Sequence, residues 1–112
     1  MKHVTFAEKS LLMDDAAADT LLEYARVVAD TSRADSVTLR AVSPDGNTVD
    51  ASFLLNVNTI LMIESTNSEI EPPDNTEAVR DMRERIEGIT RPPMAGTEEP
   101  WEAGEYDVAD GL

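Results

Sequence analysis

Ser36-Val37-Thr38-Leu39-Arg40-Ala41-Val42-Ser43-Pro44-Asp45-Gly46-Asn47-Thr48-Val49-Asp50-Ala51-Ser52-Phe53 reads as a β-hairpin whose register decides the fold. Val37, Leu39 and Ala41 alternate with Ser36, Thr38 and Arg40, the two-residue period of a half-buried strand. In Ser43-Pro44-Asp45-Gly46, proline presets φ for the second turn residue and glycine supplies a positive φ at the end. A type I turn closed by a glycine bulge sets Ala41 against Val49, Leu39 against Ala51 and Val37 against Phe53, three apolar pairs on one face. A two-residue Asp45-Gly46 turn would set Leu39 against Ser52. Burial of one face therefore selects the bulged turn.

The N-terminal side of the hairpin predicts two strands and a helix. Val4 and Phe6 alternate with Thr5, and Leu11-Leu12-Met13 follow after Glu8-Lys9-Ser10. Residues 3–13 thus form a second hairpin, although its turn has no glycine. Asp14 and Asp15 stand where a carboxylate satisfies free N–H groups at the positive end of a helix. Residues 15–31 form that helix. Leu21, Ala25 and Val28, flanked by Ala18 and Leu22, face inward; Asp19, Glu23, Arg26 and Asp30 face solvent.

On the C-terminal side, Asn56-Val57-Asn58 makes a turn, and Thr59-Ile60-Leu61-Met62-Ile63 is an uninterrupted apolar run. Such a run predicts a central strand, or one covered on both faces by a second layer or a partner chain. Residues 65–73 read as a loop. Asp74-x-x-Glu77 resembles a capping box, with Asp74 as the cap. Val79, Met82, Ile86 and Ile89 form a helical stripe over 75–88, closed by Gly88 and Pro92-Pro93. The stripe either covers the Ile60–Ile63 strand or docks on another chain.

The expected fold is a single α+β domain over residues 1–89. It is a small antiparallel sheet of about five strands with two packed helices, in the order ββα-βββ-α. Residues 90–112 change character: Pro, Gly and six acidic residues against Arg91 alone predict a disordered acidic tail. Trp101, the only tryptophan of the chain, and Tyr106 lie in it among Glu98, Glu99, Glu102 and Glu105. An aromatic ring supplies buried area and acids steer toward a basic groove, so these six residues are the candidate partner-binding set. The alternatives are a mobile tail, or Trp101 folding back on its own domain.

Charge removes several functions. The 112 residues hold 23 Asp and Glu against 9 Lys and Arg, a net charge of −14. That charge repels nucleic-acid phosphates and anionic membrane surfaces. Arg80, Arg83 and Arg85 alternate with acids, and Arg80–Glu84, Asp81–Arg85 and Arg83–Glu87 are helical i,i+4 pairs. No run reaches the ~20 apolar residues of a membrane span. The start Met1-Lys2-His3-Val4 argues against a secretory signal, which makes a cytoplasmic protein the expectation. Cysteine is absent, which excludes disulfides and thiolate chemistry.

Little in the sequence points to catalysis, a metal or a cofactor. His3 is the only histidine, and no motif marks a serine nucleophile or a phosphate-cradling glycine loop. Asp14, Asp15 and Asp19 cluster at a helix start, and Asp45 and Asp50 flank a turn; capping and turn chemistry account for both groups. The leading expectation is a non-enzymatic protein-binding module of inhibitor, immunity or adaptor type. It takes a basic partner through acidic residues, with the tail aromatics or the Ile60–Ile63 region as anchor. A homo-oligomer joined through Ile60–Ile63 or the Val79–Ile89 stripe is the second reading. A small carboxylate-dependent hydrolase is the third. The acidity also fits a GC-rich genome or a salt-loving host, because only two of the nine basic residues are lysine.

Overall fold

The computed structural model describes residues 1–91. Strands β1 (Lys2–Phe6) and β2 (Lys9–Met13) are followed by helix α1 (Asp15–Asp30). Strands β3 (Asp35–Val42), β4 (Thr48–Leu55) and β5 (Leu61–Ser65) come next, and helix α2 (Thr76–Thr90) ends the described chain. The five strands form one antiparallel sheet in the order β4-β3-β2-β1-β5. The expected α+β class and the ββα-βββ-α order are both present.

The β3–β4 hairpin has the bulged register. Ala41 faces Val49, Leu39 faces Ala51 and Val37 faces Phe53. Gly46 N donates to Ser43 O, Ser43 N donates to Asn47 O, and Gly46 has φ 89°. The first hairpin closes through two residues, Ala7 and Glu8, with Phe6 opposite Lys9. Ala7 has φ 57°, the sign that the first loop position of a type II′ turn requires and that glycine normally supplies. Helix α1 ends in a Schellman motif: Arg33 N reaches Val28 O, Ser32 N reaches Ala29 O, and Ser32 takes φ 54°.

Odd-numbered β3 side chains meet Val4, Leu11, Met13, Phe53 and Leu55 with both helices in one core. The other face carries polar cross-strand pairs, Thr5–Ser10, Thr38–Ser52 and Arg40–Asp50. β2 and β3 share only the pair Leu12–Val42. Phe6 of β1 nonetheless meets Phe53 of β4 edge to face, with centroids 5.4 Å apart. A flat sheet would hold those strands about 14 Å apart, three strand spacings. The two hairpins therefore fold toward each other across the short β2–β3 seam and enclose the core.

Asn75 holds that seam. Because Ser43 N bonds to Asn47 O, just ahead of β4, the odd residues of β3 direct their backbone groups to β4 and Arg40 directs its own toward β2. Strand β2 has ended at Met13, where the chain turns into α1. The buried Asn75 carboxamide takes the vacant place: Oδ1 accepts from Arg40 N at 2.8 Å and Nδ2 donates to Arg40 O at 2.8 Å. Nδ2 also donates to Asp14 Oδ1 at 3.0 Å. One side chain thus joins β3, the start of α1 and the start of α2.

Several expectations need correction. The 59–63 run is not a central strand: β5 is an edge strand bonded only to β1. Its even side chains stay in solvent, with Ile60 73% and Met62 50% exposed, and only Leu61 and Ile63 pack on the core. The stripe Val79, Met82, Ile86 and Ile89 does join the chain's own core, but α2 packs on α1 and β3, not on β5. Asp74 is not the cap of α2, because Asn75 occupies that position with its side chain committed to Arg40. Gly88 lies inside the helix, which continues to Thr90, past the expected boundary at residue 89. The buried face of α1 is turned toward Ala17 and Tyr24, and Leu22 is left exposed.

Replacing Asn75 by Ala strands two backbone groups of Arg40 and removes three hydrogen bonds. At ~1 kcal/mol for each bond lost, urea denaturation is expected to show a loss of about 3 kcal/mol. A loss below about 1 kcal/mol contradicts the role given to Asn75. Gly at position 7 or 32 relieves a positive φ, and each change is expected to raise stability by about 0.5–1 kcal/mol in the same assay.

Candidate functional site

Both helices begin side by side, and a groove of about 800 Å³ opens there and runs along α2 from Thr76 to Glu87. Asp14 is extended (φ −62°, ψ 155°), which frees its Oδ2 to accept from Ala17 N at 3.0 Å. Across the groove, Pro72 and Pro73 fix the approach to α2. Asp74 Oδ1 accepts from Thr76 N at 2.9 Å and from Thr76 Oγ1 at 2.6 Å. The Thr76 hydroxyl, with the Thr76 N–H, holds the Asp74 carboxyl below the usual carboxylate range. Glu71, Glu84 and Glu87 add carboxylates to the walls, Ala16, Val79 and the two prolines add apolar surface, and Arg80 and Arg83 are the cations. The arrangement suits ammonium or guanidinium groups whose aliphatic stems lie on apolar surface.

Ion pairing is uneven over the molecule. Among the described residues, eight carboxylates lie within 4 Å of a Lys, Arg or N-terminal cation (Asp15, Asp19, Glu23, Asp30, Asp35, Asp50, Asp81 and Glu87), and Glu64 lies against the His3 ring. The eight others are Glu8, Asp14, Asp45, Glu69, Glu71, Asp74, Glu77 and Glu84. Six of these eight line the groove or lie on the segment 69–77 that leads into α2. Of the three expected i,i+4 pairs only Asp81–Arg85 forms, at 2.8 Å. Glu87 takes Arg91 instead, at 3.3 Å, and Arg80 and Arg83 lie along the groove.

The aspartates considered for catalysis take separate local partners. Asp15 binds the Met1 ammonium at 3.0 Å and Asp19 binds Lys2 Nζ at 2.8 Å. Asp45 accepts from the Ser43 hydroxyl and from Asn47 N inside the turn, and the Ser43 bond chiefly lowers its pKa. Asp50 faces Arg40 at 3.6 Å. His3 Nδ1 lies 3.1 Å from Glu64 Oε1, linking β1 to β5. Among the described residues no group of three or more His, Asp or Glu side chains is disposed to hold a metal ion, and no helix is long and apolar enough to cross a membrane. The sequence-selected Trp101, Tyr106, Glu98, Glu99, Glu102 and Glu105 lie outside the described residues.

Compared with family models, curated proteins and solved structures, the chain matches none.

The groove itself was not legible in the sequence. Its residues come from the start of α1, the 71–75 segment and three turns of α2, and the Asn75–Asp14 bond joins the two helix starts. A second polar cluster ties down the far end of the helices. Asp35 Oδ2 accepts from the Tyr24 hydroxyl and from Arg85 NH1 at 2.8 Å, and its Oδ1 accepts from Ser36 N at 2.8 Å. The Tyr24 bond, with Ser36 and Arg85 behind it, holds the Asp35 pKa below the usual range. Burial, and then the neighbouring carboxylate, raises that of Tyr24.

A carboxyl with a lowered folded pKa stabilises fully above its unfolded value, and that stability disappears as pH falls through the folded value. Tyr24→Phe removes the largest cause. It is expected to return the Asp35 pKa toward the ordinary value in a carboxyl NMR titration and to move acid unfolding to higher pH. It should cost about 1 kcal/mol at neutral pH. An unmoved Asp35 titration contradicts this reading.

Proposed function

We propose that the chain is a non-enzymatic protein-binding module that holds a basic segment of a partner protein in the groove between the starts of α1 and α2. The observation that carries this reading is the placement of unpaired charge. Six of the eight described carboxylates with neither a cation nor the His3 ring within 4 Å lie on or beside one groove with apolar walls. Away from it only Glu8 and Asp45 have no ion-pair partner, and Asp45 is held within its own turn. A partner bringing Lys or Arg would meet charge that the fold leaves uncompensated, and the net −14 would steer its approach. Pro72 and Pro73 stiffen the wall, so little order is lost on binding. The tail residues Trp101 and Tyr106 would extend the same contact as aromatic anchors, with Glu98, Glu99, Glu102 and Glu105 beside them.

The test is an amide NMR titration with a short peptide of alternating Arg and Gly. Shifts are expected on residues 71–87 and around Asp14, and they should weaken as salt rises. Joint replacement of Glu71, Glu77 and Glu84 by Gln is expected to weaken binding about tenfold, three exposed pairs at ~0.5 kcal/mol each. Equal shifts at the scattered acids Glu8 and Asp45, or an unchanged affinity in the triple variant, overturn the proposal.

A further inference from the structure

Most of the exposed large apolar side chains among the described residues lie from the end of β4 through the link into β5. Of the six exposed large hydrophobic residues, Leu54, Val57, Ile60 and Met62 lie on β4, β5 or the link between them, and Leu22 packs beside that link. Ile60 O accepts from Ala7 N, and β1 pairs with β5 so that Thr5 faces Met62 and His3 faces Glu64. The alternation of an antiparallel ladder then commits the backbone of residues 60, 62 and 64 to β1. Residues 61, 63 and 65 turn their N–H and C=O groups outward. An open row of donors and acceptors beside apolar side chains fits one kind of occupant, another strand.

The sequence of the edge says which strand. About Met62 the segment Thr59-Ile60-Leu61-Met62-Ile63-Glu64-Ser65 is nearly palindromic: Leu61 balances Ile63, and Thr59 balances Ser65. Its one formal charge, Glu64, already has His3 Nδ1 at 3.1 Å. A basic partner would find little to bind there, because the unpaired acids gather at the groove. We propose that β5 pairs antiparallel with β5 of a second copy about a two-fold axis at Met62, joining two five-stranded sheets into one. Leu61 then faces Ile63 of the other copy on the helix side of the sheet. Met62 meets its own counterpart as a non-hydrogen-bonded pair, the closer of the two antiparallel spacings at about 4.5 Å between Cα atoms. Each Ile60 lies against the stem of Glu64. Two chains of −14 repel, so this association strengthens with salt, opposite to the binding of a basic partner. The acidic groove lies on a different surface, and either proposal can fail alone.

The full chain has no cysteine, so a single introduced thiol reports the register directly. Sedimentation is expected to show a monomer–dimer equilibrium that moves toward dimer as sodium chloride rises from about 0.05 to about 0.5 M. Met62→Lys, at an exposed position, is expected to keep the circular dichroism of the parent and weaken dimerisation at least about tenfold. Met62→Cys is expected to form a disulfide-linked dimer rapidly under mild oxidation, because about 4.5 Å between Cα atoms is within disulfide range. Glu64→Cys is expected to react slowly, since two-fold pairing places those residues about 13 Å apart along the strand. A monomer at every concentration in high salt, or equal oxidation rates at 62 and 64, overturns the proposal.

Discussion

The arrangement depends on one carboxamide standing in for a strand. β2 leaves the sheet at Met13 because Asp14 must cap α1, and the departure uncovers Arg40 N–H and C=O beside the core. An unpaired buried peptide group costs free energy comparable to a lost hydrogen bond. Asn75 is one of the few side chains that offers a donor and an acceptor in one plane, as a peptide does. Its third bond, to Asp14, fixes where α2 starts relative to α1. That contact sets the two helix starts side by side at the mouth of the groove.

The surface divides along the same line. Away from the groove, acids are matched by cations or consumed by turns, and exposed pairs of this kind contribute little to stability. At the groove the acids cap helices or face solvent, and the positive ends of the helix dipoles moderate their mutual repulsion. The β5 edge, at another part of the sheet, is nearly uncharged and apolar. A molecule with surplus negative charge therefore carries two contrasting surfaces, one suited to cations and one suited to a strand.

Much of the fold was legible because it rests on local rules. The Ser43-Pro44-Asp45-Gly46 turn chemistry and one buried face fix the β3–β4 register without reference to the rest of the chain. The stripe of α2 and the cap at Asp14 are local in the same sense. The readings that failed depended on what lies beside an element. An apolar run of five residues looks the same on a central strand and on an edge, and 59–63 proved to be the edge. A helix start can be read from Asp74-x-x-Glu77, but not that Asn75 is drawn away to a strand 35 residues earlier.

The sequence alone determined the class of fold, the element order, the hairpin register and the net charge, because each follows from periodicity, turn chemistry or composition. Tertiary structure decided the strand order, the exposure of Ile60 and Met62, the role of Asn75 and the gathering of unpaired carboxylates at one groove. Those properties depend on contacts between residues far apart in the chain, and no local pattern records which distant backbone group will be left in need of a partner.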